Sequence, residues 1–440
     1  MAWITLAGAP YVTVSPTGLS NGLSNLPNNG ADFGPDTPGT MTTGLQEALN
    51  HGGTIRLLPG AASFLLNVDL YVPSSGITVR ADPGVTIQSM NNSILHVVNA
   101  SNGTPNSWVR WEGNGAKINL NQGNGYVGDV ITEPTTAHHL YFGGWEIYGG
   151  VTGFFQVTSQ DTSGGGAEQQ YQCIVIEDLY IHTFANVGSN TTAGFQIFHS
   201  NVTGRRIFVN ATDFPSGIDH SVFFMRGGSA AYPAITEDCE FENCYVLNNG
   251  NSGQVLELQG NTSSSGVGIV REIAFRGCTF NSGASSPVVA GSGGPYIDDN
   301  NGTSNSSYVT NIQFHDCKFV EWVMSYQSTS TYIGSITFEG VGPQTTATYP
   351  LGVSGSLRGR DNNGGTVYTV SITATSSPLS YRNLDGCWEI VYVSGGTVSS
   401  ITLNGIATGA TSGQFRLGPG DILIVTYTSA PTLTKVGAAG

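Results

Sequence analysis

From Thr54 to about Gly340 the chain repeats one phrase: a short run of alternating apolar and polar residues, a turn rich in Asn, Gly and Ser, then another short run. Alternation with a period of two marks a strand with one buried face. Ile77-Thr78-Val79-Arg80, Trp108-Val109-Arg110-Trp111-Glu112-Gly113, His139 to Ile147 and Ile174 to Ile181 all carry it, with Ile, Val, Phe and Leu facing inward. The clearest internal alignment sets Glu242-Asn243-Cys244-Tyr245-Val246 beside Arg276-Gly277-Cys278-Thr279-Phe280 and His315-Asp316-Cys317-Lys318-Phe319. The cysteines are spaced 34 and 39 residues apart. Irregular repeats of roughly 20–40 residues are the mark of a solenoid. About ten rungs are expected, stacked about 4.8 Å apart, with Cys244, Cys278 and Cys317 in one interior column.

One helix is predicted. After the turn Gly34-Pro35-Asp36-Thr37-Pro38-Gly39, the residues Leu45, Ala48 and Leu49 fall at i, i+3 and i+4, with Thr42 or Thr43 to cap the start and His51-Gly52-Gly53 to stop it. The rung pattern breaks at Gly342-Pro343 and again at Asp361-Asn362-Asn363-Gly364-Gly365. Beyond it, Val367–Thr373, Trp388–Val393, Val398–Leu403, Gln414–Leu417 and Leu423–Tyr427 read as antiparallel strands joined by tight turns such as Ser394-Gly395-Gly396-Thr397. The domains expected are residues 1–30 as an arm or attachment segment, 31–345 as a parallel β-helix, and 346–440 as a C-terminal β-sandwich or jelly-roll.

Composition narrows the function. Of 440 residues 61 are Gly and 39% are hydrophobic, which argues against disorder. Formal charge is −15 and the basic residues are dispersed, Arg205-Arg206 being the only adjacent pair, so a nucleic-acid partner is not expected. No apolar run reaches membrane-spanning length. The six cysteines include no CxxC pair, and neither a metal nor a cofactor is expected. Met1 to Leu6 lacks a basic and an apolar signal region, which fits a virion component released on lysis, or a chain from which a signal has been removed. Nine N-x-S/T sequons occur, at Asn91, Asn99, Asn102, Asn190, Asn201, Asn210, Asn261, Asn301 and Asn305, and permit glycosylation.

The stretch Ala31-Asp32-Phe33-Gly34, the helix, Gly52-Gly53-Thr54-Ile55-Arg56-Leu57-Leu58-Pro59-Gly60 and Val72-Pro73-Ser74-Ser75-Gly76-Ile77-Thr78-Val79 resembles the opening of pectate-lyase-superfamily β-helices. It departs from the acidic phrase those proteins carry before the helix, having Gly39-Thr40-Met41-Thr42 there. The resemblance implies an all-β, right-handed parallel β-helix closed by a short N-terminal helix. The superfamily includes lyases, hydrolases and non-catalytic phage tailspikes, so fold does not decide activity. The stretch Leu417 to Tyr427 is similar to small β-domains of virus and phage surface proteins.

Two groups of residues carry candidate chemistry. Asp219 and His220 stand where the resemblance places the acidic pair of polygalacturonase-like hydrolases, with Asp213 or Glu257 as the second carboxylate that inverting hydrolysis needs. The "GHG" and "RIK" motifs of those enzymes are missing. Asp298-Asp299, the only adjacent Asp pair, reads as a solvated turn. Alternation places Phe224, Arg226, Glu257 and Gln259 outward across two rungs, a combination of ring, cation and carboxylate that suits a sugar. Three functions are open: a virion or cell-surface spike binding host glycans, a polysaccharide-cleaving enzyme, or a structural coat protein. The first is favoured, with a homotrimer outside the cell or on the virion surface, attached to other virion proteins through the N-terminal arm.

Overall fold

Strand pairing follows the rung pattern. The computed structural model describes residues 11–17, 31–133, 137–151, 154–161, 172–184, 193–213, 221–227, 234–248, 254–259, 268–281, 295–298, 308–320, 325–327, 336–339, 357–360, 369–374, 376–382, 389–417 and 421–437. Within these, an 18-stranded and a 7-stranded sheet are built from parallel pairs and form a right-handed parallel β-helix. Two four-stranded antiparallel sheets follow near the C-terminus.

The larger sheet folds around a corner, so each long strand contributes to two faces of the tube. Before the corner, one inward column runs Val12, Ile55, Val79, Trp111, Phe142, Ile176, Gly204, Phe241, Phe275 and Phe314. After it, a second runs Ile87, Ile118, Ile147, Ile181, Val209, Val246 and Phe280. The 7-stranded sheet closes the tube with Val127, Phe155, Phe195, Phe223 and Leu256. Apart from Gly204, these residues form one continuous buried core. Phe241, Phe275 and Phe314 stack ring on ring at 5.4 and 5.1 Å. Gly204 interrupts the aromatic column for space: a Cβ there would lie 2.4 Å from the Phe241 ring.

The corners are stacked left-handed residues. Gly144, Asp178, Arg206, Asn243, Gly277 and Asp316 follow one another at φ between 51° and 76°. Gly, Asn and Asp tolerate that region best. Arg206 is held there by a fork onto Asp178 of the preceding corner, at 2.6 and 2.8 Å. Just inside this corner sit Cys244, Cys278 and Cys317, buried on parallel rungs as the repeat predicted. Their thiols are not joined as disulfides. The Cys278 and Cys317 thiols donate to the carbonyls of Phe241 and Phe275 at 3.3 and 3.4 Å, each bridging to the preceding rung.

The helix spans Leu45–His51 and buries Leu45, Ala48 and Leu49 against the end of the core. Gly44 is its N-cap, while the Thr42 hydroxyl accepts the Gln46 N–H at 2.9 Å. Residues Val12–Val14, read from sequence as part of the arm, pair in parallel with Thr54–Leu57 and open the sheet. At the other end Leu357–Arg360 still pairs in parallel with Ile336–Glu339, past the sequence break. The C-terminal sheets enclose a core of Val391, Val393, Ile401, Phe415, Leu417, Leu423, Val425 and Leu433. The turn at Gly395-Gly396 is not a hairpin: Glu389–Ser394 pairs within one sheet and Thr397–Leu403 within the other, so the glycines carry the chain across the sandwich.

Candidate functional site

Beyond the corner, alternation that buries Ile118, Ile147, Ile181, Val209, Val246 and Phe280 turns the residue before each outward. That outer column reads Lys117, Glu146, Tyr180, Phe208, Tyr245, Thr279 and Lys318, one per rung. Tyr180 stacks on Phe208 at 5.1 Å, and Phe208 meets Tyr245 edge-on at 5.1 Å. In the neighbouring outer column Tyr148 and His182 stack at 5.5 Å, and His182 lies 4.3 Å from Tyr180, joining the two columns. Tyr180 and Tyr245 are each 36% exposed. The result is a strip of rings fixed at rung spacing on a rigid sheet, open to solvent.

Polar groups border the strip. Glu146 accepts from Lys117 and faces the His182 Nε2, both at 3.1 Å. Burial pushes the Glu146 carboxyl up, but Lys117 and His182 outweigh it and hold the group below its ordinary value, so it is ionised at neutral pH. At the far end the Asn281 amide donates to the Tyr245 hydroxyl at 3.4 Å. Rings with ionised and amide groups at their edges can take the apolar face of a sugar and its hydroxyls together.

The residues singled out in the sequence lie elsewhere. Asp219 and His220 fall outside the described residues, as does Asp299. Asp213 is exposed and accepts the Phe184 N–H at 3.0 Å, the role of a turn cap. On the 7-stranded sheet Phe224 pairs with Glu257 and Arg226 with Gln259, in the register expected. Exposure differs from expectation: Phe224 is 8% exposed, Glu257 7% and Gln259 9%. Phe198 meets Phe224 edge-on at 5.0 Å, with the half-buried Arg226 guanidinium 6.0 Å from the Phe198 ring, and these groups cover one another. Glu257 is taken up by the Ser221 hydroxyl, which donates to it. Of the sequons, Asn99 is buried and its amide donates to the Val130 carbonyl at 2.9 Å, which leaves no room for a glycan.

No protein-family model matches the chain, and no curated protein matches it. Among solved structures, it is similar to tailspike protein 2 of bacteriophage CBA120, with a TM-score of 0.39 and 10% identity over 90% of this chain and 67% of that one. It is also similar to a mutant tailspike protein of E. coli bacteriophage HK620 in complex with a hexasaccharide, with a TM-score of 0.34 and 12% identity over 90% of this chain and 89% of that one. A third is the Pseudomonas phage phi297 tailspike gp61, with a TM-score of 0.22 and 11% identity over 90% and 92% of the two chains.

Proposed function

We propose that this chain is the body of a virion or cell-surface spike that holds surface glycans on the outer strip of Tyr148, Tyr180, His182, Phe208 and Tyr245. The observation that carries this reading is the exposed ring ladder itself. Each ring is fixed by a buried neighbour in the strand, so the platform needs no ordering when a sugar arrives, and binding loses little to entropy. Three rungs of rings in line favour a linear glycan lying along the solenoid axis.

The test is a panel of neutral and acidic polysaccharides scored for binding. Tyr180→Ala should remove ~1 kcal/mol of stacking, about a fivefold loss of affinity, and the double variant with Phe208→Ala should lose more. Both should keep the parent melting temperature to within a few degrees, because outward rings contribute little to the core. Parent affinity in the double variant, or loss of binding in Phe224→Ala with the strip intact, would overturn the assignment.

In the same reading the chain assembles as a homotrimer, since a closed symmetric assembly covers apolar flanks that a lone solenoid exposes. Light scattering at micromolar concentration should give about three times the 46.0 kDa chain mass. A mass at the single-chain value would contradict it.

A further inference from the structure

A second cluster of rings lies away from the strip, at the corner that leads into the first face. There the left-handed column runs Trp108, His139 and Cys173, each just before an inward residue of its rung. Trp108 is 57% exposed, far more than a buried-face indole. One face of its ring is covered by His139, stacked at 3.8 Å and 9°. The His138 ring meets its edge at 5.1 Å. The opposite face looks toward the preceding rung. By the register that pairs Thr78 with Arg110, the residue beneath Trp108 is Gly76. A Cβ placed on Gly76 would meet nothing within 4 Å. The indole therefore has one supported face and one bare face, over a corner without a side chain.

Charge along the face that begins at Trp108 has a sign. Arg80, on the Gly76 rung, and Arg110, on the Trp108 rung, both bond to the single carboxylate of Glu112, Arg80 at 2.6 Å. Within this trio two guanidinium groups share one carboxylate, in a chain whose formal charge is −15. Arg110 is also fixed from the other side, its guanidinium 3.8 Å above the Tyr141 ring. Arg80 uses only its Nε on Glu112, and its outer nitrogens make no hydrogen bond among the described residues. A guanidinium offers five donors, so Arg80 keeps capacity for a second anion.

We infer that the bare face of Trp108 is a saccharide subsite distinct from the ring ladder, and that it takes an acidic oligosaccharide, one ring of which stacks on the indole over Gly76 while a carboxylate further along the same ligand pairs with Arg80, four residues on in the strand. The two sites lie on different faces of the tube, so they are separable by mutation.

Tetragalacturonate, a hyaluronan tetrasaccharide and 3′-sialyllactose, each beside its carboxyl-reduced form, are titrated against the full chain and followed by tryptophan fluorescence. Among the described residues Trp111 and Trp145 are buried and Trp108 is exposed, and the part of the change that Trp108→Asn removes is the part that reports on this indole. At least one acidic probe should bind several-fold more tightly than its reduced form, and less tightly as salt is raised. Trp108→Asn, which keeps a residue suited to the left-handed corner, should abolish the fluorescence change and lower affinity at least fivefold. Arg80→Gln should erase the preference for the acidic form, and Tyr180→Ala should leave it untouched. Failure of all three acidic probes to bind overturns the assignment, as does an acidic preference that survives Arg80→Gln or is lost in Tyr180→Ala instead of Trp108→Asn.

Discussion

Truncating Phe275 to alanine is expected to lower the stability of the solenoid by about 3–5 kcal/mol, the range for removing a large aromatic from a packed core. Phe275 is fully buried and touches four other rings: Phe241 at 5.4 Å, Phe314 at 5.1 Å, Phe280 at 5.4 Å and Phe223 at 5.9 Å. These come from its own rung and its neighbours on both sides, so the void opens at the junction of three rungs. Strand backbones above and below are tied by ladder hydrogen bonds and cannot close over it. Each rung contacts only its neighbours, and the loss at one interface weakens the whole stack. Thermal or urea unfolding of Phe275→Ala beside Arg276→Ala checks this. The outward neighbour, whose side chain bonds Glu240 at 2.5 Å on the surface, should cost at most about 1 kcal/mol. A Phe275→Ala protein that unfolds within about 1 kcal/mol of the parent would contradict the packing described.

Acidification should destabilise the fold through His199. This imidazole is fully buried where the 7-stranded sheet turns back toward the larger one, and its Nδ1 lies 2.8 Å from the Ser200 carbonyl. Burial lowers its pKa to about 4, the carbonyl only partly offsetting that cost. An unfolded histidine titrates near 6.5. The folded value is therefore depressed, and the unfolded chain takes up the proton first. His199 leaves stability intact above about pH 6.5 and subtracts from it as pH falls toward 4, by about 3 kcal/mol over the whole window. His199→Asn retains a donor for the Ser200 carbonyl and does not titrate. Its stability should fall less than the parent's between pH 7 and pH 4.5, and parallel pH profiles would show that His199 is not the group responsible.

Where the fold was legible, one local signal sufficed. Period-two alternation placed Ile147, Ile176 and Ile181 inward without any knowledge of their neighbours. The repeated Cys244, Cys278 and Cys317 gave register because they stand at the same offset from a left-handed corner residue, Asn243, Gly277 and Asp316. The strand Val12–Val14 was missed for the opposite reason. Three residues in a Pro- and Gly-rich stretch are too few to show a period, and only the sheet edge offered by Thr54–Leu57 makes them a strand.

The candidate site was half legible. Tyr180, Phe208 and Tyr245 each stand between apolar residues, so each run looks apolar throughout, and the outward ring is hidden among inward ones. Their alignment depends on inserted turns: Tyr180 and Phe208 are 28 residues apart, Phe208 and Tyr245 37. Alternation correctly set Phe224 over Glu257, but it reports only which face a residue takes. What covers that face is a tertiary fact, and here Phe198 and Arg226 pack on the Phe224 side. The Trp108 corner reads in the sequence as a strand start, and its exposure follows from a left-handed backbone that a hydropathy pattern does not encode.

A crystal structure with an oligosaccharide selected from the binding panel decides whether the outer strip is the glycan platform. Sugar rings should lie stacked along Tyr180, Phe208 and Tyr245, with hydroxyls near Glu146 or Asn281. Sugar bound over Phe224 and Glu257 on the 7-stranded sheet, with the strip bare or covered by a neighbouring subunit, would contradict it.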